Sequence, residues 1–352
     1  MKKINKHIEI VSSTSRGLSS MSLKSREAIC NTLRKHYVDV GITIVNSKSD
    51  LDALVQKQPN LVFLGMKSIP NESTVDSSAS DKIWLGEYLA KHGIASTGSD
   101  RSAQAIEQDK PLAKQRVSAA GLQTSPYFVV KQNSKPLETD IELNYPLFVK
   151  PTNRGGGLGI DNFSVVNNFE QLLSKTSSIS NKFQSDSLVE EFLPGREISV
   201  AVLKGTDHVY EAMLIERIVP PNAQGNRILS PDLKHQDAGL SVAVYDEPVR
   251  ERVETLALAV FDVLGARDYG RVDIRLDKSG VPHFLEANLI PGLIEGNGNF
   301  PKSCLLNKNV NYEQMLLRIV ELGFARSSNI TTREADFISW SHTNNLIFDS
   351  VN

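Results

Sequence analysis

Three short stretches of this chain carry residue types whose spacing permits phosphate and metal chemistry. The first is Lys150-Pro151-Thr152-Asn153-Arg154-Gly155-Gly156-Gly157-Leu158-Gly159, set between two strand-like segments. Four glycines in five positions let the backbone approach a ligand closely, and successive N–H groups can cradle phosphate oxygens. Lys150, ending an apolar strand, would aim a fixed cation at the same oxygens. Alone, the stretch reads equally well as a flexible hairpin turn. No Lys-Ser or Lys-Thr pair follows its last glycine and no helix opens there, so neither the common nucleotide-triphosphatase loop nor a dinucleotide fingerprint fits.

The second stretch is Leu188-Val189-Glu190-Glu191-Phe192-Leu193-Pro194-Gly195-Arg196-Glu197. Two strands meet at a Pro-Gly turn with carboxylates before and after it. Such a hinge can offer main-chain N–H and C=O groups to an adenine edge while Glu197 accepts hydrogen bonds from ribose hydroxyls. A hairpin with solvated glutamates is the plainer alternative.

The third is sharper. Along Gly270-Arg271-Val272-Asp273-Ile274-Arg275, strand alternation puts Arg271, Asp273 and Arg275 on one face and Val272 and Ile274 on the other. In Phe284-Leu285-Glu286-Ala287-Asn288, Glu286 and Asn288 again share a face. If the two strands are neighbours, Asp273, Glu286 and Asn288 converge as oxygen donors of the kind Mg²⁺ prefers, with Mn²⁺ as a substitute. Arg271 would then lie beside the phosphates. An amphipathic strand pair with one wet face would show the same pattern.

These stretches need elements to hold them. Residues 1–103 alternate short strands with helices (HIEIVSS, SLKSREAICNTLRKHY, GITIV, DLDALVQKQ, NLVFLGM, WLGEYLAKHG, IAST), which predicts a parallel sheet. Residues 104–186 begin with one helix, AQAIEQDKPLAKQRVSAAG, and continue into strands around the glycine loop. Residues 187–325 hold the hinge, the long helix VRERVETLALAVFDVLG and the two metal-site strands, and 326–352 form a polar tail.

Bulk properties exclude several classes. The 352 residues exceed one ordinary core, and a net charge of −2 shows no basic excess for a nucleic-acid partner. No apolar run approaches a membrane span or the core of a signal peptide. The two cysteines, Cys30 and Cys304, lie far apart without metal-ligand spacing and are expected as reduced thiols of a cytoplasmic protein.

The order of glycine loop, glutamate hinge, Arg-x-Asp strand and Glu-x-Asn strand resembles the ATP-grasp superfamily, and within it the D-alanine–D-alanine ligase family, from about Trp84 to Phe324. The resemblance implies an α/β chain with an N-terminal parallel-sheet domain ahead of a two-lobed ATP-grasp fold. It also implies ATP and Mg²⁺, small-molecule carboxylate and amine substrates, and a homodimer. Lys110 and Lys150 match the family's phosphate lysines, and Gly155, Gly156 and Gly157 its flexible loop. Glu190, Glu191 and Leu193 match its adenine hinge and Glu197 its ribose ligand, while Lys234 falls near a further phosphate lysine. Asp273, Glu286 and Asn288 match its metal ligands, and Arg271 and Gly292 the groups at its oxyanion.

The substrate half departs from that pattern. The family holds its first substrate's ammonium partly through an N-terminal glutamate, whereas Thr14–Leu23 contains no acid. Met66-Lys67-Ser68-Ile69-Pro70 replaces a His-Gly segment, and Gly156 and Gly157 replace serines. An ammonium desolvated without its carboxylate is costly. The expectation is therefore an amide-forming ligase that joins amino acids or related small acids in a specialised pathway, through an acyl-phosphate. Genuine D-alanine–D-alanine ligation is the alternative. A non-catalytic nucleotide-binding protein and a metal-dependent kinase acting on a hydroxyl are alternatives of other classes.

Overall fold

The structure is a computed structural model that describes residues 2–15, 19, 21–71, 82–222, 225–228 and 240–326. The first unit runs β1 (Ile4–Ser12), α1 (Leu23–Leu33), β2 (Tyr37–Ile44), α2 (Lys48–Gln56) and β3 (Leu61–Leu64). A short ribbon, β4 (Ser68–Pro70) and β5 (Lys82–Trp84), precedes α3 (Leu85–Lys91) and β6 (Ala95–Ser96). The main strands form a parallel sheet in the order β2-β1-β3-β6, as the alternation predicts. A parallel sheet is covered on both faces, and β1 shows why the strands are so apolar. Ile8 and Ile10 enter one core while Val11 enters another.

Two helices follow where one was expected: α4 (Arg101–Gln108) and α5 (Lys110–Ala119). Pro111 has no N–H and is tolerated only in a helix's first turn, so the chain must restart there. Asp109 caps the new helix, its carboxylate accepting from Leu112 N at 3.0 Å.

The second sheet contains β7 (Tyr127–Val130), β8 (Leu147–Pro151), β9 (Val165–Val166) and β10 (Ser187–Glu191), in the order β7-β10-β8-β9. Helix α6 (Phe169–Phe183) covers it, and together they enclose a small core of their own. The sequence division at 187 assigned β10 to the following unit. Its pairing is with β7 and β8 instead, so the Pro194-Gly195 turn joins two sheets and closes no hairpin. Gly195 N–H donates to Leu276 O at 3.0 Å, and a Cβ there would collide with that carbonyl.

The third sheet comprises β11 (Glu197–Lys204), β12 (Tyr210–Ile218), β13 (Leu240–Ala243), β14 (Tyr269–Leu276) and β15 (Pro282–Asn288), antiparallel in the order β13-β12-β11-β14-β15. Helix α7 (Glu247–Val263) packs on one face with α4 and α5. The opposite face meets α8 (Asn299–Lys308) and α9 (312–326). That second contact merges with the first sheet: Ile8 and Ile10 share one core with Ala201, Met213, Phe300 and Met315. Cys30 and Cys304 are both buried in this shared core and form no disulfide. The first and third sheets are thus joined by a common apolar interior, while the second stands apart.

Candidate active site

β14 and β15 are neighbours, and their register sets Asp273 opposite Glu286 and Arg271 opposite Asn288. The ladder slips between Asp273 and Ile274, where Leu285 is left over, so both acids still meet on one face. Asp273 is buried and held from two sides. Ser199 Oγ, from the adjoining β11, donates to Oδ1 at 2.6 Å. Arg271 donates from Nε to Oδ1 at 2.9 Å and from Nη2 to Oδ2 at 2.7 Å. Burial works against the Arg271 charge, but Asp273 and then Glu286 more than offset it and raise its pKa. Among the described residues no three His, Cys, Asp or Glu side chains cluster, and Asp273, Glu286 and Asn288 offer two carboxylates and one amide. That hard-oxygen set suits Mg²⁺ and leaves positions for phosphate and water. Both oxygens of Asp273 face Arg271, so a cation must share that carboxylate with the guanidinium.

Lys110 heads α5, aimed by the restart at Asp109. Its backbone N–H reaches Thr152 O at 3.3 Å and its Nζ donates to Arg154 O at 2.5 Å, with Glu286 3.9 Å away. Burial lowers its pKa, with the Glu286 carboxylate opposing. Lys150 is the penultimate residue of β8, on the same face of the second sheet as Glu190, which it meets at 2.8 Å. A third cation, Lys114, holds the other oxygen of Glu190 at 2.6 Å. Burial pushes the Glu190 carboxyl up, yet the two ammonium groups overcome it and bring it to about 2. The lysines then diverge. Lys150 is raised against its own burial by Glu190 and Glu286, whereas burial pulls Lys114 down. Contact with an ionised carboxylate at 2.6 Å keeps Lys114 an ammonium.

The glycine loop lies between these lysines and α6. Gly156, Gly157 and Gly159 have φ of 69°, 85° and 82°, the left-handed region that glycine enters at little cost. Two turns close it, Leu158 N to Gly155 O at 3.2 Å and Ile160 N to Gly157 O at 3.0 Å. Lys175 of α6 clamps its far end through Gly159 O at 2.9 Å and Asp161 Oδ1 at 2.7 Å. Gly155 and Gly156 face open space.

The hinge residues divide by chemistry. The Glu190 side chain is committed to the lysines, so only its main chain remains for a base edge. Glu191 is half-buried at the end of β10 and Leu193 is buried beyond it. Glu197, read as an open ribose acceptor, pairs with Arg275 at 3.0 Å, and Arg275 also donates to Arg227 O at 2.9 Å. Gly292 sits between β15 and α8 with open space at its Cβ position. Lys234 lies outside the described residues.

Sequence reasoning missed Lys114, Ser199, Arg217 and Asn299. Arg217 Nη1 donates to Asn299 Oδ1 at 2.7 Å and Asn299 Nδ2 lies 3.4 Å from Ser199 Oγ, so a polar chain runs from β12 through α8 to Asp273. One signal was available: Lys114 is four residues after Lys110, hence on the same helix face.

Clustered lysines, a glycine loop and a carboxylate pair on adjoining antiparallel strands fit an ATP-grasp enzyme. Residues 117–321 match the family model described as D-ala D-ala ligase C-terminus, and the chain belongs to the D-alanine–D-alanine ligase family. D-alanine–D-alanine ligase B of Clostridium perfringens is 26% identical over 309 residues, 87% of this chain and 95% of that protein. The D-alanine–D-alanine ligase of Methylacidiphilum infernorum is 30% identical over 247 residues, 69% and 74% of the two chains. A solved D-alanine–D-alanine ligase from Bacillus anthracis superposes with a TM-score of 0.72 at 20% identity, covering 92% of this chain and 99% of its own, which shows the fold. The chain is accordingly an ADP-forming ligase that makes C–N bonds.

Proposed function

We propose that the chain condenses two D-alanine molecules, activating one as an acyl-phosphate for attack by the amine of the other. The observation that carries the activation chemistry is Asp273 opposite Glu286, beside Lys110 and Arg271. The choice of substrate rests on the relatives and runs against the expectation of a specialised pathway drawn from the rewritten substrate half.

ATP with Mg²⁺ supplies the phosphoryl group and neutralises its charge when bound. Asp273, Glu286 and Asn288 would hold the cation. Lys110, Lys150 and the N–H groups of Gly155–Gly157 would hold the phosphates, joined by Lys234. The main chain at Glu190, Glu191 and Leu193 would take the adenine edge and Glu197 the ribose. Arg271 and the Gly292 N–H would stabilise the oxyanion when the amine attacks. In this reading the parallel-sheet domain covers 1–103, the glycine-loop lobe ends at Glu191, and the third sheet completes the fold. Water must be kept from the acyl-phosphate, a task suited to the loop closed at Gly155–Ile160.

A second reading keeps the same chemistry with a different acid or amine. What favours it is the absence of any carboxylate within Thr14–Leu23. Measuring ADP release with D-alanine against a panel of amino acids and hydroxy acids, with products weighed by mass spectrometry, separates the two. D-alanyl-D-alanine as the main product supports the first reading; a mixed or different product at higher turnover replaces it. Hydroxylamine trapping of the activated acid, if negative throughout, removes both.

A further inference from the structure

Lys114 has no part in the mechanism above, yet its side chain is 0% exposed. Burying an ammonium is costly unless acceptors surround it. Helix α5, which carries Lys114, is seated on the third sheet, with Ala113 and Val117 in the core beneath α7. From there the ammonium spans the junction between two sheets. On the third-sheet side it lies 3.5 Å from Phe284 O, two residues before Glu286. On the second-sheet side it meets Glu190 at 2.6 Å.

Two hydroxyls fill the space between, both in the segment leading into β7. Lys114 Nζ donates to Thr124 Oγ1 at 2.6 Å and to Ser125 Oγ at 3.1 Å. Those hydroxyls pass the contacts on: Thr124 Oγ1 donates to Phe284 O at 3.0 Å and Ser125 Oγ to Glu190 Oε1 at 3.1 Å. The carboxylate that receives all this is the one that also holds Lys150 at 2.8 Å.

Counting charge gives the cluster its meaning. Glu190 carries one negative charge and faces two ammonium groups, so the trio keeps one positive charge. If Lys114 were neutral, Glu190 would be matched by Lys150 alone, and the ion pair would hold that cation against an incoming anion. We infer that Lys114 is a positioning residue for nucleotide binding. It neutralises Glu190 so that the Lys150 charge stays available to phosphate, and it ties the strand bearing Glu190, which pairs with that of Lys150, to the strand bearing Glu286. The inference rests on the reading of Lys150 as a phosphate ligand.

The test compares the wild type, Lys114→Met, Glu190→Gln and the double variant, with calorimetric dissociation constants for ATP and for adenosine in Mg²⁺ buffer and a melting temperature for each. Lys114→Met should weaken ATP about tenfold or more and adenosine, which has no phosphate, less than about twofold. Adding Glu190→Gln to it should recover several-fold of the ATP affinity, because Lys150 is released. The proposal is overturned if Lys114→Met leaves ATP binding within about twofold, if both ligands weaken together, or if the double variant binds ATP no better than the single.

Should Lys114→Met not fold, Lys114→Gln takes its place in the cycle. If that single variant is also unfolded, a double variant that folds and binds ATP supports the charge argument, and one that does not fold makes Lys114 purely structural. Lys150→Met serves as the control on the underlying reading. Wild-type ATP affinity in that variant removes Lys150 from the phosphate site whatever Lys114 does.

Discussion

Glu190 illustrates how a single buried carboxylate sets the behaviour of its surroundings. Burial raises its pKa, but Lys114 and Lys150 more than offset that and bring it to about 2, from an unfolded value near 4.5. A carboxyl depressed in the folded state stabilises the protein above the unfolded pKa, and that stability is lost as pH falls toward the folded one. The shift corresponds to about 3 kcal/mol. Urea unfolding of the wild type should therefore show a loss between about pH 4.5 and pH 2 that Glu190→Gln lacks; parallel acid limbs for the two proteins would contradict the assignment. This network was not legible in the sequence. The resemblance brings Lys150 and Glu190 to one nucleotide site, but apart from its four-residue spacing from Lys110 nothing in the sequence joins Lys114, or Ser125, to them. Asp273, Glu286 and Asn288 were legible, because period-two alternation fixes which residues of a strand share a face.

At the scale of elements, the glycine loop is shaped by its far end as much as by its glycine run. Gly159 has φ of 82°, and a Cβ there would come 2.5 Å from Pro151 Cγ, just after Lys150. Both strain and crowding fall on Gly159, whereas Gly155 has neither a positive φ nor a close neighbour. Gly159→Ala should cut ligase turnover at least about tenfold while the melting temperature moves by only a few degrees. Gly155→Ala should retain most activity. Equal losses in the two variants would mean that the run acts through flexibility alone. The sequence drew the eye to the consecutive glycines because they form a pattern, but crowding against a proline appears only in three dimensions. The break at Asp109 was missed for a related reason. The apolar periodicity continues across it, and only the absent N–H of Pro111 and the cap reveal a second start.

Across the whole molecule, the division of cores predicts where opening is easiest. The first and third sheets share one interior with α8 and α9, whereas the second sheet and α6 bury a small core of about seven residues, Val130 to Val189. Segments that share few buried contacts with the rest open at lower free energy. Amides of β7, β8 and β10 should exchange with deuterium faster than those of β1, β11 and β14, and ATP with Mg²⁺ should slow them selectively. Uniform exchange across the three sheets would show that the second is held as firmly as the others. The parallel first sheet was legible from its strand–helix alternation, and the third from its charged strand faces. The sheet to which β10 belongs was not, since its partners β7 and β8 both lie far upstream and a Pro-Gly turn suggests a local hairpin.

The interior shared by the first and third sheets contains both thiols of the chain, Cys30 from α1 and Cys304 from α8. Burial raises both thiols, Cys304 to about 12, so neither offers appreciable thiolate at neutral pH. An alkylating reagent can reach either thiol only when the elements packed around it part. The chain therefore carries its own two-channel chemical clock. Isotope-coded alkylation, read separately at each cysteine, would time that parting without any engineered label, and equal rates at both sites would mark it as one event.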